Sequence, residues 1–428
     1  AYNNLGVELK AQGKLEEAIE CYRKAIELDQ KDATPRKNLA SILTNRCWHL
    51  ATAADASERD PAKAVELAKL ALELQPDRAI SWSRLGVGQY RAGNWQAAVE
   101  ALEKADAMRA DAYRGYRMFC AMAHWQLGDK EKARELYTQG AAWISLHRRG
   151  HEELNRFRAE AEELMEITEA DHNRLVDEYL ARQVENQPDV AQAWMDRANW
   201  HQQQGAHDKA IEDYSQAIRL APEDPHLYEA RGAAYWALGR YDKALADCNR
   251  YIVLKPDDTT AIMIRAALLL MTERTDEYRQ ACGEILDRFA ESEDPEAFCH
   301  AARACVLVPN AVPDPMVLVG LAKKAAQYPD PTPWRFYVLG MAHLRAGQLD
   351  EAARSFQASL KKYPNWHARF LNWLGLALVQ HERGETQEAR QWLQKAIESM
   401  QQHPDPVSYT HLRAHETNDL IAYAVFCL

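Results

Sequence analysis

From Ala191 to Asp224, and again from Pro225 to Asp258, one pattern recurs with a period of 34 residues. Each unit reads as two amphipathic helices joined by a short turn. A unit of this size cannot bury its apolar face alone, so it must stack on its neighbours, and that requirement constrains the fold more than any single motif. The same unit is visible in AYNNLGVELKAQGKLEEAIECYRKAIELD, SWSRLGVGQYRAGNWQAAVEALEKA and LYEARGAAYWALGRYDKALADCNRYIVLKPD.

Small residues hold the register. One position of the first helix is Gly6, Ala40, Gly86, Ala121, Ala198, Gly232, Gly340 or Ala377. An early position of the second helix is Ala18, Ala64, Ala98, Ala133, Ala210, Ala244, Ala352 or Ala389, and a later one is Ala25, Ala71, Ala105, Gly140, Ala217, Ser359 or Ala396, with Tyr251 the departure. Two antiparallel helices approach closely only where side chains are short; an extra one overpacks the seam by roughly 1 to 3 kcal/mol. The turn is marked by Gly13, Gly93, Gly128, Gly205, Gly239, Gly347 and Gly384. A left-handed residue there costs an L side chain roughly 1 to 2 kcal/mol, so these glycines read as helix ends and not as phosphate loops. The pairs Asp60-Pro61, Asp224-Pro225, Asp294-Pro295 and Asp314-Pro315 read as helix starts.

These positions together resemble the tetratricopeptide-repeat family. The resemblance implies an all-α protein, an α-solenoid of helix-turn-helix repeats in two lobes joined by a helical connector. An N-terminal lobe is expected over residues 1–147, the connector over 148–188, further repeats over 189–291, a degenerate helical pair over 292–332, C-terminal repeats over 333–403 and a non-domain tail over 404–428. Repeat two carries an extra loop, roughly Thr44 to Asp60, and repeat seven has Glu273, Tyr278 and Ile285 where Gly, Ala and Ala are expected.

In this family the first helix of each pair lines a concave wall. Carried over, the peptide-binding groove is Tyr90, Arg91, Met122, Trp125, Asn199, Gln203, Glu229, Trp236, Tyr337 and Arg345. Aromatic and methionine side chains there would suit an extended or helical peptide. Against that, Tyr90, Trp125 and Trp236 read equally well as cover for a neighbouring helix. Two specialisations fail: Lys37 and Asn38 begin a carboxylate clamp that Ile80 and Ser83 do not continue, and Asn4 and Asn38 begin an asparagine ladder that Arg84, Phe119 and Asp196 break.

With 52 basic against 63 acidic residues the formal charge is -11, so no field attracts phosphate backbones and nucleic acid is not an expected partner. The most apolar run, Ala261 to Met271, is short and carries Arg265, so no membrane insertion is expected. Eight cysteines stand singly, which fits buried thiols in a reducing, cytoplasmic setting. G-x-x-x-x-G-K-[ST], H-E-x-x-H and G-x-S-x-G are all missing. No catalytic residues, metal or cofactor are therefore assigned. His147 and His151, followed by Glu152 and Glu153, have ligand-like spacing, but Gly150, Arg148 and Arg149 make a solvated polar segment the better reading. The expected function is a non-catalytic scaffold for protein or peptide partners.

A narrower resemblance follows from RDPAKAVELAKLALELQP, AMAHWQLGDKEKARELY and EYRQACGEILDRFAESEDPEAFCHAARACVLVPNAVPDP. They look like the C-terminal repeat region of large bacterial serine/threonine protein kinases of the eukaryotic type. That resemblance implies a regulatory or substrate-recruiting arm, covalently linked to a kinase domain upstream. Ala1 falls inside a repeat helix, so the chain is expected to be a fragment.

The tail raises a different question. In VSYTHLRAHET, His411 and His415 lie four apart with Glu416 beside them, which is metal-like spacing on a helix. Yet VSYTHLRAHET back-translates without mismatch into DNA resembling a short-read sequencing adapter, and IAYAVFCL differs from the next adapter segment only at Ala422. Residues 407–428 are therefore expected to be adapter-derived and are set aside.

Overall fold

The computed structural model describes residues 1–108, 114–289, 292, 294–328 and 332–402. The chain divides into two compact units, Ala1–Pro188 and Asp189–Leu428. Among the described residues all regular structure is helical. In unit 1, α1 (Tyr2–Ala11) pairs with α2 (Leu15–Leu28), α3 (Ala33–Thr52) with α4 (Pro61–Leu74), α5 (Ala79–Arg91) with α6 (Trp95–Ala107) and α7 (Arg117–Gln126) with α8 (Lys130–His147); α9 (Glu152–Met165) and α10 (Glu169–Asn186) follow. In unit 2 the pairs are α11 (Ala191–Gln203) and α12 (His207–Leu220), α13 (Pro225–Ala237) and α14 (Tyr241–Leu254), and α15 (Thr259–Met271) and α16 (Thr275–Phe289). They continue as α17 (Pro295–Cys305) and α18 (Pro315–Ala326), α19 (Pro333–Arg345) and α20 (Leu349–Lys362), and α21 (Phe370–Glu382) and α22 (Thr386–Gln402).

The small positions are where the helices of a pair touch. Ala18, Ala64, Ala98, Ala133, Ala210, Ala244, Ala352 and Ala389 are all buried. On the facing helix the glycine acts as a socket for one large side chain. A Cβ on Gly6 would come within 2.7 Å of the Tyr22 ring, and one on Gly86, Gly340 or Gly375 would overlap Leu102 or Phe356. Tyr22, Leu102 and Phe356 are themselves fully buried, so each socket is filled. Burial of rings this size contributes on the order of 2 to 3 kcal/mol each, which is what the short residue opposite makes available.

The turns follow the same logic. The seven turn glycines have φ between 68° and 87°. Glu273 takes the same left-handed conformation, φ 58°, so repeat seven keeps its turn at the expense of backbone strain. Asp60, Asp224, Asp294 and Asp314 accept hydrogen bonds from the backbone N–H of Lys63, His226, Glu296 and Met316, and a proline opens each helix after them.

One expectation is corrected. The loop expected from Thr44 to Asp60 begins later: α3 continues to Thr52 because Thr44, Cys47, Ala51 and Thr52 remain on its buried face, and a short 3-10 turn, Ala56–Glu58, precedes α4. The segment expected as a helical connector over 148–188 is formed by two helices, with Leu154, Phe157, Ala161 and Met165 of α9 and Val176, Leu180 and Val184 of α10 buried within unit 1. The tail, with His411, His415 and the adapter-like stretches, lies outside the described residues.

The sockets and turns respond oppositely to substitution. Gly340→Ala should lower stability by about 1 to 3 kcal/mol in urea unfolding because Phe356 has no room to withdraw. Glu273→Gly should raise it by up to about 1 kcal/mol by relieving the left-handed strain.

Candidate functional site

In unit 1 the first-helix face carries four of the expected groove residues, and most are already engaged. Tyr90 is half-buried, packs edge-on against Phe119 at 5.6 Å, and has its phenol pKa raised by burial. Arg91 pairs with Glu160 of α9 at 2.6 Å, donates from Nε to the Ala51 carbonyl at 3.2 Å and lies 4.9 Å from the Phe119 ring centroid. Met122 is 1% exposed and presents no surface to a ligand, which corrects its placement in the groove. Trp125, half-buried, is covered by Lys130 Nζ at 3.4 Å from its ring centroid. Helix α9 crosses this face, with Phe157 against Trp48 and Phe119 at 5.7 and 4.8 Å.

In unit 2 the sequence pattern concealed a repeated ion pair. Arg197 makes a two-pronged contact to Asp213 at 2.8 and 2.6 Å, and Arg231 makes the same contact to Asp247 at 2.9 and 2.7 Å. Each links the two helices of one pair. Both aspartates are buried. Burial pushes the Asp213 pKa up, but hydrogen bonds from Arg197 and His201 outweigh it and hold the carboxyl below its ordinary value. Asn199 is half-buried and accepts the Tyr214 hydroxyl at 2.6 Å, and Gln203, also half-buried, ends α11.

A cavity of about 550 Å³ opens between α11, α13, α14, α15 and α17. Its wall is mainly apolar and aromatic: Tyr228, Trp236, Tyr251, Met263, Ile264 and Leu268. Gln202, Glu229, Asp258, His300 and Arg303 supply the polar groups. Trp236, 4% exposed, forms wall and core together, edge-on to Tyr241 at 5.6 Å. Glu229 is exposed at the rim, where it faces His226 at 3.4 Å. His300 accepts or donates to the Thr259 hydroxyl at 2.8 Å, and burial first, then the neighbouring Arg303 charge, lowers its pKa, so the imidazole is neutral at pH 7. Tyr251 is the large residue at a position elsewhere small; its hydroxyl donates to Asp258 at 2.7 Å. The break in the sequence register therefore falls on the cavity wall.

The other two expected residues are structural in their contacts. Tyr337, 5% exposed, packs between Trp334 and Phe356, and Arg345 donates to the Val306 and Leu307 carbonyls at 2.8 Å each, tying α19 to the end of α17. His300 and Arg303 were missed because α17 has no clean place in the repeat register.

Burial pushes the thiols of Cys47, Cys120 and Cys248 up to about 12, well away from a reactive thiolate at neutral pH. His151 is the N-cap of α9 and accepts from the Leu154 N–H at 3.4 Å, while His147 stacks on Trp143 at 5.8 Å. Among the described residues no group of three or more His, Cys, Asp or Glu could hold a metal ion, and no helix is long and apolar enough to cross a membrane.

Helix pairs seamed by small residues and stacked in sequence define a helical-repeat protein. Sequence profiles described as tetratricopeptide repeat match residues 1–32, 115–137, 199–269 and 337–405. Over those four stretches the chain carries tetratricopeptide repeats. Among solved structures, yeast Tom70 aligns over 100% of this chain and 94% of its own at 16% identity and a TM-score of 0.31. Cut9-Hcn1 of the APC/C hetero-tetramer aligns over 98% and 95% at 14% identity and 0.37, and YrrB, described as having an unusual peptide-binding site, over 57% and 96% at 18% identity and 0.23. No curated protein sequence matches the chain.

The Asp213 pair sets a pH dependence. A carboxyl whose pKa is depressed by folding stabilises the native state fully above its unfolded value, about 3.9, and loses that contribution as pH falls through the lower folded value. Thermal melts of Asp213→Asn should accordingly start lower at pH 7 and decline less steeply than wild type below about pH 4.

Proposed function

We propose that the chain is a non-catalytic scaffold that binds peptide or protein partners on its first-helix faces, with the unit 2 cavity as the principal ligand pocket. Tetratricopeptide repeats are in general protein-interaction modules. The observation that carries the proposal is the cavity of about 550 Å³, large enough for one or two bulky side chains and walled by aromatic and aliphatic groups from several helix pairs. Its chemistry suits a peptide segment that inserts an apolar side chain against Tyr228, Trp236 and Met263 and sets a basic group beside Glu229. Of the carried-over residues, Glu229 and Trp236 line this pocket, and Tyr90, Arg91 and Trp125 lie on the first helices of unit 1.

The binding region is taken as residues 1–402, with the repeats over 189–291 and 333–403 flanking the degenerate pair over 292–332. Residues 407–428 are left out on the strength of the adapter-like codon match. A cytoplasmic location is favoured by the single, mostly buried cysteines.

A second reading rests on the kinase-like segments of the sequence: the chain is the regulatory or substrate-recruiting arm of a serine/threonine kinase whose catalytic domain lies upstream. Sequencing upstream of Ala1 tests it; a Gly-rich loop followed by H-R-D and D-F-G supports it, and a signal peptide leading into another repeat overturns it.

For the pocket, a peptide library is screened against the full chain and the selected ligand is titrated by calorimetry. Glu229→Lys should weaken binding about tenfold with an unchanged melting temperature, since Glu229 is exposed, and Ala233→Trp should abolish binding by filling the cavity. Unchanged affinity in both variants would mean that the cavity is not the ligand site.

A further inference from the structure

Helix α9 does not stack as the next repeat would. A stacked first helix lies beside its predecessor α7, whereas α9 also reaches back over α5 and α3. Glu153 accepts from Trp48 Nε1 at 2.9 Å across 105 residues of chain, and lies 3.5 Å from the Thr52 hydroxyl. Arg156 donates to the Thr52 carbonyl, Phe157 sits between Trp48 and Phe119, and Glu160 pairs with Arg91 at 2.6 Å and with Arg59 at 4.0 Å. All of the partners but Arg59 belong to first helices or their ends, the wall that peptide ligands would use. The helix is seated there as a ligand would be: Leu154, Phe157, Ala161 and Met165 face inward in one stripe, and Glu153 and Glu160, two turns apart, are held at the polar edge.

Two further features bear on how this seat is held. Both ends of α9 are left-handed breaks, Gly150 at φ 119° and Glu166 at φ 55°, which separate it from α8 and α10. A cavity of about 450 Å³ lies between its first turn and α3, bordered by Trp48, Thr52, Glu58 and Glu152, so the helix leaves part of the face uncovered.

We propose that α9 is an exchangeable occupant of the first-helix face of unit 1. In its place this face binds an amphipathic helix of another polypeptide presenting the same order of groups: a carboxylate, an adjacent leucine-like side chain, a phenylalanine one turn on and a second carboxylate one turn beyond. The proposal rests on reading the first-helix faces as binding walls. Docked α9 lowers the apparent affinity of such a ligand by the fraction of molecules in which the face is open, so release of α9 is a built-in control on ligand binding.

The test uses the full chain and a fluorescent synthetic peptide of residues 151–167, HEELNRFRAEAEELMEI, followed by anisotropy. Phe157→Ser in the chain loosens the cis helix and should tighten peptide binding about tenfold or more over wild type. Adding Arg91→Ala to that variant, or changing the peptide's phenylalanine to serine, should reverse the gain. Equal affinity in wild type and in a cooperatively melting Phe157→Ser chain would overturn the proposal. Should Phe157→Ser fail to fold, hydrogen exchange on the wild-type chain decides: saturating peptide should speed exchange in residues 152–165 and leave 79–91 unchanged, and an unaltered α9 overturns it. The peptide reads unit 1 alone, while Glu229→Lys with library-selected ligands reads the unit 2 cavity, so either reading can fail without the other.

Discussion

An alanine or glycine at the seam of each helix pair lets the two backbones close to a distance at which one large side chain fills the remaining gap. Tyr22 over Gly6, Leu102 against Gly86 and Phe356 against Gly340 are instances of the same arrangement, and Phe356 also meets Gly375 of the next pair. The rest of the architecture follows from it. Because the seam is satisfied within each pair, the outward faces of the helices are left to pack on the next pair, and the chain can lengthen without a larger common core. The Arg197–Asp213 and Arg231–Asp247 ion pairs each neutralise a buried aspartate from within its own helix pair, while Arg231 also reaches Ser215 of the preceding pair at 2.9 Å.

This explains why the fold was legible in the sequence and the site only in part. Small residues and turn glycines recur at fixed spacing because each is needed for a local steric reason, so Ala18, Gly13 and their equivalents could be read directly. A groove assigned by register is a weaker inference. Which first-helix side chains reach solvent depends on what the rest of the chain lays over them, and that is a matter of packing between residues roughly a hundred positions apart. Met122 and Tyr337 occupy groove positions in the register but are buried; Arg91 and Arg345 occupy them and are held by Glu160 and by the Val306 and Leu307 carbonyls. The most informative sequence signal was a departure. Tyr251 breaks the small-residue pattern and lies on the cavity wall, whereas His300 and Arg303, in a helix outside the register, gave no signal.

The charged segment after α8 reads as helical from its sequence, but what it packs on does not, because charged residues dominate and four inward-facing apolar residues are diluted among them. On a helix those four fall on one stripe, and a stripe that narrow is enough when the receiving surface already presents Trp48 and Phe119. Tyr137 and His172 then secure its far end through Glu162, at 2.7 and 3.3 Å.

The buried thiols have a use beyond packing. Cys47 on α3, Cys120 on α7, Cys248 on α14, Cys282 on α16 and Cys299 and Cys305 on α17 are each shielded by their own stretch of the array. A maleimide reagent can reach one of them only when the helices around it separate, so the rate at which each sulfur is alkylated records the opening of that neighbourhood. The protein thus carries a distributed set of reporters for how evenly stability is spread along its repeats.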